Sequence, residues 1–183
     1  MANDSIGLIE LTSIAAGFQT ADAMLKAAGV SLLLSRSICS GKYMVMVRGD
    51  VAAVQAAVSA GSGASRFAVI DSFVIPNLHE AVFPAIAGAS KVEELEALGI
   101  VESFSVASLI EGADAAVKAA NVQLIEIRLA MALGGKAFVT MTGDVSSVQA
   151  AMAAGRQVIG DAGVLVNAVI LSRPHPDVYR EVV

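Results

Sequence analysis

The sequence has 183 residues, a formal net charge of −5 and a hydrophobic fraction of 56%, with a mean hydropathy of +0.71. No apolar run reaches the ~20 residues of a membrane-spanning helix, so no membrane partner is expected. The acidic balance, the absence of Trp and an aromatic content of 4% argue against a nucleic-acid partner.

The single cysteine, Cys39, excludes an internal disulfide and predicts a reducing, cytosolic setting. No basic, apolar, small-residue leader opens the sequence, and export is not expected. Domains of about 90 residues have much surface for their volume. The surplus of Ala, Val and Met therefore predicts large subunit interfaces rather than a larger core.

In chain order, Ile6–Thr12 reads as a strand. Phe18, Ala21, Leu25 and Ala28 recur at helical spacing, and Gly29 is placed to end that helix with a left-handed cap. Val30–Ser35 is a second strand, Ser37–Gly41 a turn, and Tyr43–Val47 a third strand. Asp50 is a candidate N-cap for a helix whose apolar stripe is Val51, Val54 and Val58. Phe67–Ile75 is a fourth strand, stopped by Pro76. The order β-α-β-β-α-β is the split βαβ plan of ferredoxin-like α+β domains. The helices would lie on one face of the sheet.

The stretch 81–97 reads as a connector anchored by Phe83, Pro84 and Ile86, with a short helical turn in KVEELEAL (91–98). From Leu98 the pattern repeats. Ala21-Asp22-Ala23 returns as Ala113-Asp114-Ala115, Lys26-Ala27-Ala28 as Lys118-Ala119-Ala120, and Gly49-Asp50-Val51 as Gly143-Asp144-Val145. Asn121 takes the place of Gly29, and His175 that of His79. Duplication is the economical reading, with domains at 1–91 and 92–183. The one gap falls between Arg128 and Lys136, which are two residues further apart than Arg36 and Lys42. Cys39 lies in the shorter loop, and Met131 stands near its place in the longer one.

The blocks GADAAVKAANVQL and GDVSSVQAA, the Gly-Lys before each third strand, and Arg173-Pro174-His175 together resemble the bacterial microcompartment (BMC) shell domain. The resemblance covers nearly the whole chain, twice. It implies a non-enzymatic shell protein. Tandem members of the family are expected to form homotrimers that imitate a hexamer, a pseudohexamer with a central pore, meeting other BMC shell proteins at their edges. By the same resemblance Lys26, Lys118 and Arg173 are shell-edge residues. The first repeat departs from the Arg-Pro-His pattern with Asn77-Leu78-His79.

IELTSIAAGFQTADAMLK, the Ile38-to-Lys42 turn, and Asp71-Ser72 followed by Pro76-Asn77 resemble tandem members of propanediol-degradation compartments. That likeness implies one [4Fe–4S] cluster per trimer at the pore, with Cys39 as its protein ligand. The pore loops would then be Ser37, Ile38, Ser40 and Gly41 from one repeat and Ala130 and Met131 from the other. An encapsulated redox enzyme would be the electron partner.

The residues themselves leave alternatives open. A lone cysteine is most often a small buried hydrophobe. A [4Fe–4S] cluster takes four thiolates, one chain offers one, and three copies about an axis offer three. Arg36 and Lys42 flank the turn, and cations favour thiolate. Three thiolates plus water would also suit zinc. A nucleophilic Cys39 would need a histidine, and neither His79 nor His175 stands in an obviously neighbouring turn. Glu10 and Glu102 recur in strands and read as fold-determining rather than acid–base residues. The rivals to an electron relay are a structural tile with a metabolite-conducting pore and a ferredoxin-like trimer that binds a small effector.

Overall fold

The computed structural model describes residues 5–92, 95–129 and 134–179, without the side chains of Ser40 and Tyr179. The chain divides into two compact units, one running to Leu78 and one starting at His79.

The first unit runs β1 (Ser5–Leu11), α1 (Ile14–Ala27), β2 (Ser31–Ile38), a 3₁₀ turn (Cys39–Gly41), β3 (Lys42–Gly49), α2 (Val51–Ala64) and β4 (Val69–Ile75). Its sheet has the order β2-β3-β1-β4 with every neighbour antiparallel, as a split βαβ plan requires. Ile9 and Leu11 of β1 and Tyr43, Val45 and Val47 of β3 pack with Ala21 and Met24 of α1 and Val54, Ala57 and Val58 of α2. Alternation along each strand sends these residues to the helix side. Side chains of this size contribute roughly 1.5–3 kcal/mol each when fully buried.

The second unit opens with α3 (Val82–Ala87) and repeats the plan as β5 (Ala97–Ser103), α4 (Val106–Ala119), β6 (Gln123–Leu129), β7 (Ala137–Gly143), α5 (Val145–Asp161) and β8 (Leu165–Leu171). A short α6 (Pro176–Tyr179) follows. The sheet order β6-β7-β5-β8 copies that of the first unit. Phe83 and Ile86 of α3 are buried, and α3 packs against β6. The side chain of Gln123 donates to the carbonyl of Lys91, fixing the connector beside β6.

Asp50 and Asp144 cap their helices as expected, accepting from Ala53 N–H at 2.8 Å and Ser147 N–H at 2.9 Å. Ser13 and Ser105 do the same for α1 and α4.

Other details differ from the sequence reading. The buried face of α1 is Gly17, Thr20, Ala21 and Met24, whereas Phe18 and Leu25 are 64% and 41% exposed. The stripe is rotated because the Tyr43 ring packs against Gly17, where a Cβ would come within 2.1 Å of it. Val51 is likewise only half-buried, and Val54, Ala57, Val58 and Gly61 face the core. Neither Gly29 nor Asn121 adopts a positive φ. The helices end instead on extended Ala28 and Ala120, with Val30 and Val122 N–H bonded two residues back. The left-handed cap occurs at Gly88 after α3, where Gly88 and Ala89 N–H return to Ala85 and Pro84 carbonyls. The described residues of 91–98 contain no helix, and Ala97 and Leu98 already belong to β5.

Candidate functional site

The turn between the second and third strands of the first unit is tighter than its sequence suggests. Ser37 and Ile38 remain in β2, paired with Tyr43 and Lys42. Only Cys39-Ser40-Gly41 turns, and Gly41 closes it at φ +73°, a conformation that costs other residues strain. Cys39 is half-buried, Ser37 and Gly41 are exposed, and Ile38 is buried. Ala130 and Met131, the expected counterparts in the second unit, lie outside the described residues. Gly134 and Gly135, at φ +61° and +86°, close that longer loop.

The cations flanking Cys39 have different surroundings. Lys42 reaches across the sheet, its Nζ 2.8 Å from Glu10 Oε1, so its charge is compensated. The same pair recurs as Lys136 and Glu102 at 3.0 Å. The repeated Gly-Lys and the repeated strand glutamate are thus one structural feature. Both carboxylates are engaged in cross-strand ion pairs. Arg36 has no such partner in view: its Nε is buried and accepted by nothing among the described residues. Burial pushes its guanidinium pKa below the ordinary arginine value.

The histidines lie beyond the ends of β4 (Ile75) and β8 (Leu171) and work locally. His79 Nδ1 accepts Ala81 N–H and His175 Nδ1 accepts Asp177 N–H, each at 3.2 Å. Lys26, Lys118 and Arg173, expected at a shell edge, are all exposed. Lys26 pairs with Asp22 at 2.6 Å and Lys118 with Asp114 at 2.5 Å, each one helical turn back. The missing arginine in the first repeat has a backbone reason. Its counterpart Asn77 stands at φ +57°, a left-handed turn that asparagine tolerates better than most side chains.

Among the described residues no group of three or more His, Cys, Asp or Glu side chains could hold a metal ion. The described residues of one chain thus bring no second ligand to Cys39, and a cluster there would need ligands from other copies. Among the described residues no helix is long and apolar enough to cross a membrane. Among the described residues the most exposed large apolar side chains are Phe67 at 103%, Phe18 and Phe104. Phe67 stands in the α2–β4 connection beside a ~320 Å³ cleft lined by Ala16, Gln19 and Arg66.

Two consecutive split-βαβ domains, with their distinguishing side chains on turns and edges, define a duplicated α+β building block. The model of the BMC domain matches residues 5–78 and again 97–174. The chain belongs to the bacterial microcompartment domain family and is a shell protein of that class. It is 45% identical over 181 residues to the bacterial microcompartment shell protein PduT of Citrobacter freundii, covering 99% of this chain and 98% of the relative. It is 32% identical to the carboxysome assembly protein CcmO of Synechococcus elongatus, covering 94% of this chain and 66% of that one. A crystal structure of a microcompartment protein from Desulfitobacterium hafniense DCB superposes with a TM-score of 0.94 at 50% identity, covering 97% and 98% of the two chains.

Proposed function

We propose that three copies of the chain close into a ring of six domains that sits in a microcompartment shell. The three Cys39 turns would meet on the axis and hold a [4Fe–4S] cluster. Such a cluster, when bound, supplies one-electron transfer, and the trimer would carry electrons across the shell to an enclosed redox enzyme. A propanediol-degrading compartment is the expected setting. The observation that carries this reading is Cys39 itself, the chain's one thiol, half-buried in a glycine-closed turn. A thiol meant only for packing belongs on an apolar helix or strand face. Closed cyclic symmetry is the usual solution for homo-oligomers.

The chain shapes the turn geometrically. Gly41 lets the turn close, Lys42 is tied down by Glu10, and β2 and β3 hold the turn at the end of a rigid ladder.

Anaerobic purification tests the proposal. A trimer of about 56 kDa, three times the 18.6 kDa chain, should carry iron and sulfide and absorb broadly near ~400 nm. Cys39→Ser should abolish the iron and leave the trimer intact. A trimer that never takes up iron leaves a structural tile with a metabolite-conducting pore. A trimer that forms no sheets under the electron microscope but saturably binds a small molecule would favour the effector-binding reading.

A further inference from the structure

The two domains place an arginine at the same strand position and treat it in opposite ways. In the second, Arg128 Nη2 lies 2.7 Å from Glu126 Oε1, its Nε donates to the same oxygen at 2.9 Å, and its guanidinium carbon lies 5.4 Å from the centre of the Phe138 ring. The register pairs Arg128 with Phe138 and Arg36 with Met44. Two residues before each arginine stand Glu126 and Leu34. The cysteine-bearing domain thus lacks both the carboxylate and the aromatic ring that hold the arginine in its twin. Arg36 Nε is buried with no acceptor among the described residues, while the neighbouring Lys42 is neutralised by Glu10.

Arg36 precedes Cys39 by three residues, about 10 Å along a strand. That exceeds the ~8 Å screening length of physiological salt and falls inside the ~30 Å of ~0.01 M salt, so the field is read at low ionic strength.

We propose that Arg36 is the electropositive residue of the Cys39 turn, kept free of a carboxylate so that its charge acts on an anionic sulfur-bound group there. It is a positioning residue that acts through the field, not a ligand. In its redox consequence the proposal rests on the cluster reading above. A thiolate-bound cluster that takes one electron gains one negative charge, so nearby guanidinium groups favour the reduced form.

The test has two arms. In the iron-free protein, the field at Cys39 is read at one pH as the ratio of alkylation rates by iodoacetate, an anion, and iodoacetamide, its neutral analogue. Arg36→Gln should lower that ratio about twofold to fourfold, the effect of one charge at ~10 Å in a mostly aqueous medium. Leu34→Glu, which installs the carboxylate of the second domain, should lower it equally. Arg36→Lys should retain it, and Arg128→Gln should leave it unchanged. An unchanged ratio in both Arg36→Gln and Leu34→Glu overturns the proposal.

In the iron-loaded trimer, titration with dithionite should show the reduced-to-oxidised ratio at fixed poise falling about tenfold in Arg36→Gln. Three charges act together there, and tenfold corresponds to 59 mV for one electron. If the wild-type protein takes up no iron, the electron-relay reading falls and the alkylation ratio alone decides the role of Arg36.

Discussion

The two domains share a framework and diverge at a few points, and the divergences fall where one copy has acquired a task of its own. Both keep serine caps on the first helix, aspartate caps on the second, and the lysine–glutamate pair across the central strands. Both close the helix side with the same backbone bond, Thr12 N–H to the Ala68 carbonyl and Phe104 N–H to that of Val164. These features recur because each copy must fold. What differs is the turn after the second strand, the surroundings of its arginine, the helix crossing, and the strand exit at Asn77 or Arg173. Duplication thus separates residues that build the domain from residues that distinguish one copy.

The helix crossing offers the largest test in stability. In the second domain α4 and α5 meet backbone to backbone, and a Cβ on Gly155 would lie 2.8 Å from the Gly112 carbonyl oxygen. In the first domain Thr20 occupies the place of Gly112. A Cβ on Gly61 would there meet side-chain atoms, Met24 Cγ at 2.6 Å and Ile9 Cδ1 at 2.8 Å. Side chains can turn aside, whereas a carbonyl in a helix cannot. Gly155→Ala should cost about 3 kcal/mol and Gly61→Ala about 1 kcal/mol, within the range for overpacking a tight core. Urea unfolding of the two variants checks this, and equal costs would show that the crossings are alike.

The next effect is smaller and concerns the aspartates one turn before Lys26 and Lys118. Asp22 and Lys26 are both largely exposed, with 61% and 75% of their side chains accessible. Asp114 is only 15% accessible, and besides Lys118 it accepts His79 N–H at 2.7 Å. It therefore pins the start of the second unit, where Asp22 makes only a surface pair. Asp114→Ala should cost about 1.5–3 kcal/mol, the range for hydrogen bonds to a charged group, and Asp22→Ala under about 0.5 kcal/mol. Faster amide exchange at His79 in Asp114→Ala would sharpen the contrast.

Much of this was legible beforehand. The order of elements along the chain, both aspartate caps and the duplication follow from periodicity and repeated blocks, because local rules and tertiary packing agree there. The rotation of the α1 stripe was not legible. It depends on Tyr43, distant in sequence, lying on Gly17. The helix ends misled for a related reason: Gly29 and Asn121 are good left-handed residues, yet each is followed directly by a strand that needs extended backbone. At the site, Cys39 and its flanking cations could be read from the sequence. That Lys42 is neutralised and Arg36 is not could not be, because Glu10 lies 32 residues from Lys42 and meets it only across the folded sheet.

The smallest expected effect concerns the aspartate caps and acid. Asp144 accepts hydroxyl hydrogens from Ser146 at 2.5 Å and Ser147 at 2.6 Å as well as the Ser147 N–H. These bonds favour the carboxylate and hold its pKa well below the usual range. Asp50 has Ala52 and Ala53 at the matching positions and accepts one backbone N–H from Ala53. A carboxyl whose folded pKa is depressed contributes stability above its unfolded pKa, about 3.9, and loses it as pH falls from there toward the folded value. Replacing Ser146 and Ser147 together by Ala should therefore lower the melting temperature at pH 7 slightly. The difference from wild type should shrink only at still lower pH, where the variant's less depressed Asp144 takes up its proton in the folded state while the wild-type carboxylate stays charged and goes on losing stability. Placing serines at Ala52 and Ala53 should give the first domain the same pH-dependent increment. An increment that is flat with pH would mean that the serines act on the helix backbone and not through the Asp144 carboxylate.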